Sequence, residues 1–164
     1  MESLIVMTPQ TTILSQKQIS DDELSRLFPF VSPEKRREFL SFLDYREIPA
    51  GFTLFRQGDS ADFMAFIVTG KFAVKKETAF PGKLILLAIL NSGAIVGEIS
   101  LIDGCQRTVT VESMETSRLL ILKSRRFQDL LKDNQVLGIH LLKHSIHVIG
   151  TRLQKSGERL ASLL

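Results

Sequence analysis

"VGEISLIDGCQRTVTV", residues 96–111, sets a carboxylate and a guanidinium nine residues apart, each beside side chains that favour burial. Gly97 has no Cβ, so the backbone there can approach another group closely. The residues after it read as one helical turn, and the amides of Glu98, Ile99 and Ser100 lie free at its start, where an anion binds naturally. Arg107 returns at the head of a strand-like run, Thr108-Val109-Thr110-Val111, and offers a planar fork of donors suited to a phosphate. Ionised Glu98 only accepts hydrogen bonds, so it suits a sugar hydroxyl. Donors for a phosphate and an acceptor for a hydroxyl on one loop describe a pocket for a sugar phosphate or a nucleotide. The same pair could instead neutralise itself as a structural Arg107–Glu98 ion pair, and composition alone leaves both readings open.

Working outward, the chain divides into three parts. Residues 1–19 carry no clear period and read as a loosely attached arm. Residues 20–133 read as a β-rich domain with flanking helices. Ser20 followed by Glu23 has the spacing of a capping box, and a second helix is expected from Ser32 with Pro33 at its first position, burying Phe39, Leu40 and Leu43. From Arg46 onward, short β-rich runs are separated by Gly51, Gly58-Asp59, Gly70 and "NSG" at 91–93. "KLILLAIL" reads as a continuous apolar strand, and "TVTVES" and "SRLLILK" bring the total to about eight strands, the signature of a sandwich or barrel. "SRRFQDLLKDN" reads as a short helix starting at Ser124.

Residues 134–164 hold the most regular pattern. Ile139, Ile146, Leu153 and Leu160 recur every seven residues, and Leu142, Ile149, Ser156 and Leu163 follow three positions behind. This is an a/d heptad with Ile and Leu at a, a pattern favoured in parallel two-stranded coils, so a long helix pairing two copies of the chain is expected. Gly138, Gly150 and Gly157 each weaken that helix by up to about 1 kcal/mol relative to Ala, so it requires a partner surface.

Other function classes find little support. The net charge is +3, but from Arg118 onward nine Lys/Arg stand against three Asp/Glu, which reads as a solvated helix face. Cys105 is the only cysteine, so cysteine-ligated clusters and internal disulfides are excluded. No apolar run suffices to span a membrane, and "MESLIVMTPQ" lacks the features of a signal peptide, so a cytoplasmic protein is expected. His140, His144 and His147 fall at b and f heptad positions, which puts them on the outer face of the helix and away from any barrel pocket. No catalytic triad, phosphate-binding Walker loop or metal-ligand set is evident, so no catalytic residue, metal or cofactor is expected.

The segment resembles the phosphate-binding cassette of the cyclic-nucleotide-binding domain family, which reads Gly-Glu-x-x-Leu, a short loop, then Arg followed by Ser, Thr or Ala and a strand. Here the cassette is Gly97-Glu98-Ile99-Ser100-Leu101, the loop 102–106, and Arg107-Thr108. "GFTLFRQGDSADFMAFIVTGKFAV" is similar to the family's early hairpins, and "VIGTRLQKSGERL" to the long dimer helix of the catabolite-activator branch, so the likeness covers about residues 28–164. The resemblance implies a mainly β fold with flanking helices, an eight-stranded jelly-roll-like barrel followed by a dimerisation helix, and a dimeric cAMP or cGMP sensor. It also implies that Arg107 binds the cyclic phosphate and Glu98 the ribose 2′-hydroxyl. Gly97, Ile99 and Ser100 would complete the cradle, and Thr108 would touch the phosphate or purine edge. Ser156, with Arg152 beside it, would reach the purine from the long helix. Val109 replaces a common Ala and would crowd the pocket, and Cys105-Gln106 replaces a frequent x-Pro. The family's transcription regulators continue into a helix-turn-helix domain, for which this chain has no segment. A stand-alone sensor signalling to a further protein, the sensor half of a transcription regulator, and a degenerate module serving as an interaction scaffold are the three readings carried forward.

Overall fold

The computed structural model describes residues 19–162. The expected arm lies outside that range apart from Ile19, which is buried in the core, and Leu163 of the second heptad row also lies outside it. Helix α1 (Asp21–Leu27) starts as the sequence predicts. The Ser20 hydroxyl accepts from the Glu23 amide, and the Glu23 carboxylate accepts from the Ser20 amide at 2.9 Å. The second helix is shorter than its proline suggests. Pro33–Lys35 forms a 3₁₀ turn, Ser32 makes no side-chain capping bond, and α2 covers only Arg36–Leu40.

Eight strands follow: β1 (Asp44–Ile48), β2 (Thr53–Phe55), β3 (Phe63–Thr69), β4 (Phe72–Glu77), β5 (Leu84–Leu90), β6 (Ile95–Val96), β7 (Thr110–Ser113) and β8 (Ser117–Lys123). They form two antiparallel four-stranded sheets, ordered β1-β8-β3-β6 and β2-β7-β4-β5, the jelly-roll-like architecture expected from the turn spacing. Side chains of a strand alternate between faces, and β3 is apolar on both because both faces are covered. Phe63, Ala65 and Ile67 point into the barrel with Phe55, Phe72 and Val111. Met64, Phe66 and Val68 point the other way into the helical layer.

That layer seats the C-terminal helices. Helix α3 (Glu98–Asp103) interrupts the barrel between β6 and β7, and α4 (Ser124–Asp133) leads into α5 (Gln135–Ala161), whose start is capped by the Asn134 side chain on the Leu137 amide. Phe28 meets Phe39 and Phe66 edge-to-face at 4.8 and 5.1 Å, and Phe30 stacks on the His144 ring at 4.7 Å. Such ring pairs contribute about 0.5–1.5 kcal/mol each beyond the area they bury. Leu137, Leu141 and Ser145 are the buried face of α5, and Leu142 and Val148 pack against the same core.

Two apolar rows stay outside the core. Ile146 and Leu153 of the a row are 66% and 73% exposed, with Ile139 and Leu160 also in solvent, because α5 docks through a different face. Strand β5 forms as expected, but it is an edge strand paired only with β4, and most of its side chains are exposed. No helix among the described residues is long and apolar enough to cross a membrane.

Candidate functional site

The opening segment folds around Arg107. Gly97 sits between β6 and α3 with φ = +80°, a conformation that glycine adopts without strain. A Cβ at this position would lie 2.5 Å from Arg107 Nη1 and 3.1 Å from the Phe63 carbonyl oxygen. The glycine therefore makes room for the guanidinium as well as for the turn. Arg107 is not yet in the strand that the sequence suggested; β7 begins only at Thr110. Its backbone is instead clamped by the Gly58-Asp59 turn. The Arg107 amide donates to the Asp59 carbonyl at 2.9 Å, and its carbonyl accepts from the Gly58 amide at 2.8 Å.

The Arg107 side chain is only 2% exposed. Nη2 donates to the Phe63 carbonyl at 2.7 Å and Nη1 lies 3.4 Å from the Gly97 carbonyl, while Nε has no partner. The guanidinium carbon lies 4.1 Å from the centre of the Phe55 ring and 4.5 Å from that of Phe63, so two aromatic faces share the charge. Burial pushes its pKa below the usual arginine value, and the more distant charges of Asp62, Asp59 and Glu98 act in the opposite sense. Arginine stays protonated in this setting. A buried charge without a counter-ion carries a desolvation penalty of several kcal/mol, which the Coulomb attraction of a bound anion would offset.

Glu98 does not pair with Arg107, so the self-neutralising pair left open by the sequence is not formed. Glu98 is 3% exposed and its Oε1 accepts from Arg152 Nη1 of α5 at 2.5 Å. Arg152 Nη2 also donates to the Ile95 carbonyl at 2.6 Å. One side chain thus ties α5 to both β6 and the first residue of α3.

Gly97, Glu98, Ile99, Arg107, Thr108, Arg152 and Ser156 all line one cavity of 610 Å³, a size in the usual range for ligand pockets of about 300–1,000 Å³. Ser100 belongs to the first turn of α3, whose leading amides have no acceptor inside the helix. Val109 also lines the cavity, as its place after Thr108 suggested.

The sequence reading missed part of the wall. His144, His147, Thr151, Lys155 and Arg159 line the cavity, so the placement of the histidines on an outer face is corrected for His144 and His147. The heptad assignment took solvent to lie opposite the a row, whereas α5 lays that side across the barrel. The signal was present in the recurrence of 144, 147, 151, 155 and 159 at spacings of three and four, which share a helix face. His144 is partly buried, and burial, followed by the neighbouring His147, lowers its pKa below the ordinary 6.5. Edge-strand residues Leu87 to Leu90 form the opposite wall. Among the described residues no cluster of His, Cys, Asp and Glu is arranged to hold a metal ion.

Residues 45–134 match the family model described as Cyclic nucleotide-binding domain. The Cyclic AMP receptor protein of Thermus thermophilus is 31% identical over 140 residues, 85% of this chain and 62% of that protein. The cAMP-activated global transcriptional regulator CRP of Salmonella typhimurium is 29% identical over 128 residues, 76% of this chain and 58% of that protein. The chain therefore spans 58–62% of the length of these curated relatives. A solved cyclic nucleotide-binding domain from Methylobacillus flagellatus shares the fold, with a TM-score of 0.79 at 23% identity, covering 88% of this chain and 85% of that one.

Proposed function

We propose that this chain, which belongs to the cyclic nucleotide-binding domain family, is a cytoplasmic, non-catalytic sensor that binds cAMP or cGMP and passes occupancy to a downstream protein through α5. The observation that carries this reading is Arg107, a buried cation with no carboxylate ion pair among the described residues and an idle Nε, wedged against Gly97 at the wall of a cavity. An anion of tetrahedral shape completes that arrangement. Arg107 and the leading amides of α3 take the cyclic phosphate, with Thr108 beside them. Glu98 takes the ribose 2′-hydroxyl. Arg152 engages Oε1, and a carboxylate has two oxygens with about four lone-pair sites, so it can accept a hydroxyl as well. Ser156 and Arg152 face the purine from α5.

The Glu98–Arg152 ion pair supplies a coupling route, since any displacement of the Glu98 carboxylate by a ribose acts directly on α5. Ligand shifts a pre-existing balance between α5 positions only insofar as it binds one of them better. The exposed row Ile139, Ile146, Leu153 and Leu160 joins α5 to its counterpart in a homodimer, where each fully buried Leu or Ile contributes about 1.5–3 kcal/mol.

Thermal unfolding in the presence of each nucleotide tests the proposal. A ligand of the native state at a hundred times its Kd stabilises by about 2.7 kcal/mol, so cAMP or cGMP should raise the Tm, and the larger rise identifies the preferred purine. No rise with either would contradict the sensor reading and favour the scaffold alternative, which Val109 in the cavity wall makes worth testing.

A further inference from the structure

Lys155 and Arg159 line the same cavity on the same face of α5 as Arg152, but they have no counterpart to Glu98. Neither forms an ion pair with a carboxylate among the described residues. Arg159 Nη1 donates to the carbonyl of Leu87 on edge strand β5 at 3.2 Å, so its head group is held at the wall where α5 faces β5. Glu158, the only acidic residue in α5, accepts from Gln154 instead and is not part of the cavity wall. A helix rises 1.5 Å per residue, so Arg159 stands about 10 Å along α5 from the Glu98–Arg152 pair. The cavity wall thus carries Arg107 in the cradle and, on α5, Lys155 with Arg159, the latter held against β5.

One cyclic phosphate carries one negative charge, which Arg107 already matches, and a purine edge, although it accepts hydrogen bonds, is neutral and leaves the charge of Lys155 and Arg159 unmatched. We infer that the pocket accepts a nucleotide with a second phosphate group, the first phosphate on the Arg107 cradle and the second on Lys155 and Arg159. This rests on the nucleotide reading of the cradle and extends it to the ligand class. Lys155 supplies a mobile point charge and Arg159 a planar fork, so the pair can meet a phosphate at more than one angle. Both are solvent-exposed, so the second contact is screened by salt more strongly than the first.

The test is a calorimetric titration of the full chain with matched ligands: cAMP, cyclic di-AMP and adenosine 3′,5′-bisphosphate, and the three guanine counterparts. The parent, Lys155→Gln/Arg159→Gln and Arg107→Leu are compared at low and high salt. A two-phosphate ligand should bind the parent about tenfold or more tighter than its cyclic mononucleotide, the scale of one charge-assisted contact. The double variant should remove that advantage and the extra salt dependence while changing mononucleotide affinity less than about threefold, whereas Arg107→Leu should weaken both classes. Which two-phosphate ligand gains identifies whether the second phosphate belongs to a cyclic dinucleotide or to a linear bisphosphate. If mononucleotides bind and no two-phosphate ligand binds tighter, or if the double variant weakens both classes equally, the second subsite is overturned and the cradle stands. If neither class binds the parent, the cradle reading falls and this inference falls with it.

Discussion

Arg107 and Gly97 make a single device, because the guanidinium occupies the space that any side chain at position 97 would need. Gly97→Ala meets two costs together. A left-handed φ costs an L-residue about 1–2 kcal/mol, and the new methyl displaces Arg107 from its seat. The variant should lose about that much stability by denaturant titration and bind nucleotide at least tenfold more weakly; unchanged affinity would show that the seat of Arg107 does not matter. Arg107→Leu has the opposite signature in stability. Replacing a buried charge that has no counter-ion by an apolar side chain removes its desolvation penalty, so the ligand-free variant should melt no lower than the parent. A marked fall in its Tm would assign Arg107 a structural role through its bonds to Phe63 and Gly97.

At the scale of elements, α5 has three faces with separate tasks: Leu137 and Leu141 dock it on the domain, the stripe 144–159 walls the cavity, and the a row faces away. Leu153→Glu should leave the domain folded, because that side chain is 73% exposed, and should convert a dimer to a monomer in sedimentation equilibrium. A parent that sediments as a monomer at all concentrations would remove the paired-helix reading. The cavity-lining stripe carries a pH dependence through His144, which also stacks on Phe30 of the domain. Its folded pKa lies below the unfolded value of 6.5, so the unfolded chain binds more protons between the two. Stability from this group is therefore fully present above the unfolded pKa and is lost as pH falls through that window. Unfolding free energy measured from pH 7.5 to 5 should decline, and His144→Phe should flatten the decline. An identical slope in the variant would place the titration elsewhere.

Across the whole molecule, what could be read from the sequence was what is local in the chain. The turn glycines, the strand rhythm and the capping box of α1 depend on neighbours a few residues away, and the cassette is contiguous, so Gly97, Glu98, Ile99, Arg107 and Thr108 meet in one cavity. What escaped depends on packing between distant segments. Glu98 and Arg152 are 54 residues apart, and no local pattern links them. The apolar run of β5 identifies a strand but not its place at the end of a sheet, which leaves it exposed. His144 and His147 escape the heptad reading because the heptad marks the face that would meet a partner, not the face that the barrel itself covers. The account as a whole rests on Arg107 as the receptor for a nucleotide phosphate, and calorimetric titration of the parent and Arg107→Leu with cAMP and cGMP tests it most directly. It predicts saturable binding to the parent that weakens about ten- to a hundredfold in the variant, the equivalent of losing a charge-assisted contact of about 1.5–3 kcal/mol. Equal affinity in the two proteins would contradict it.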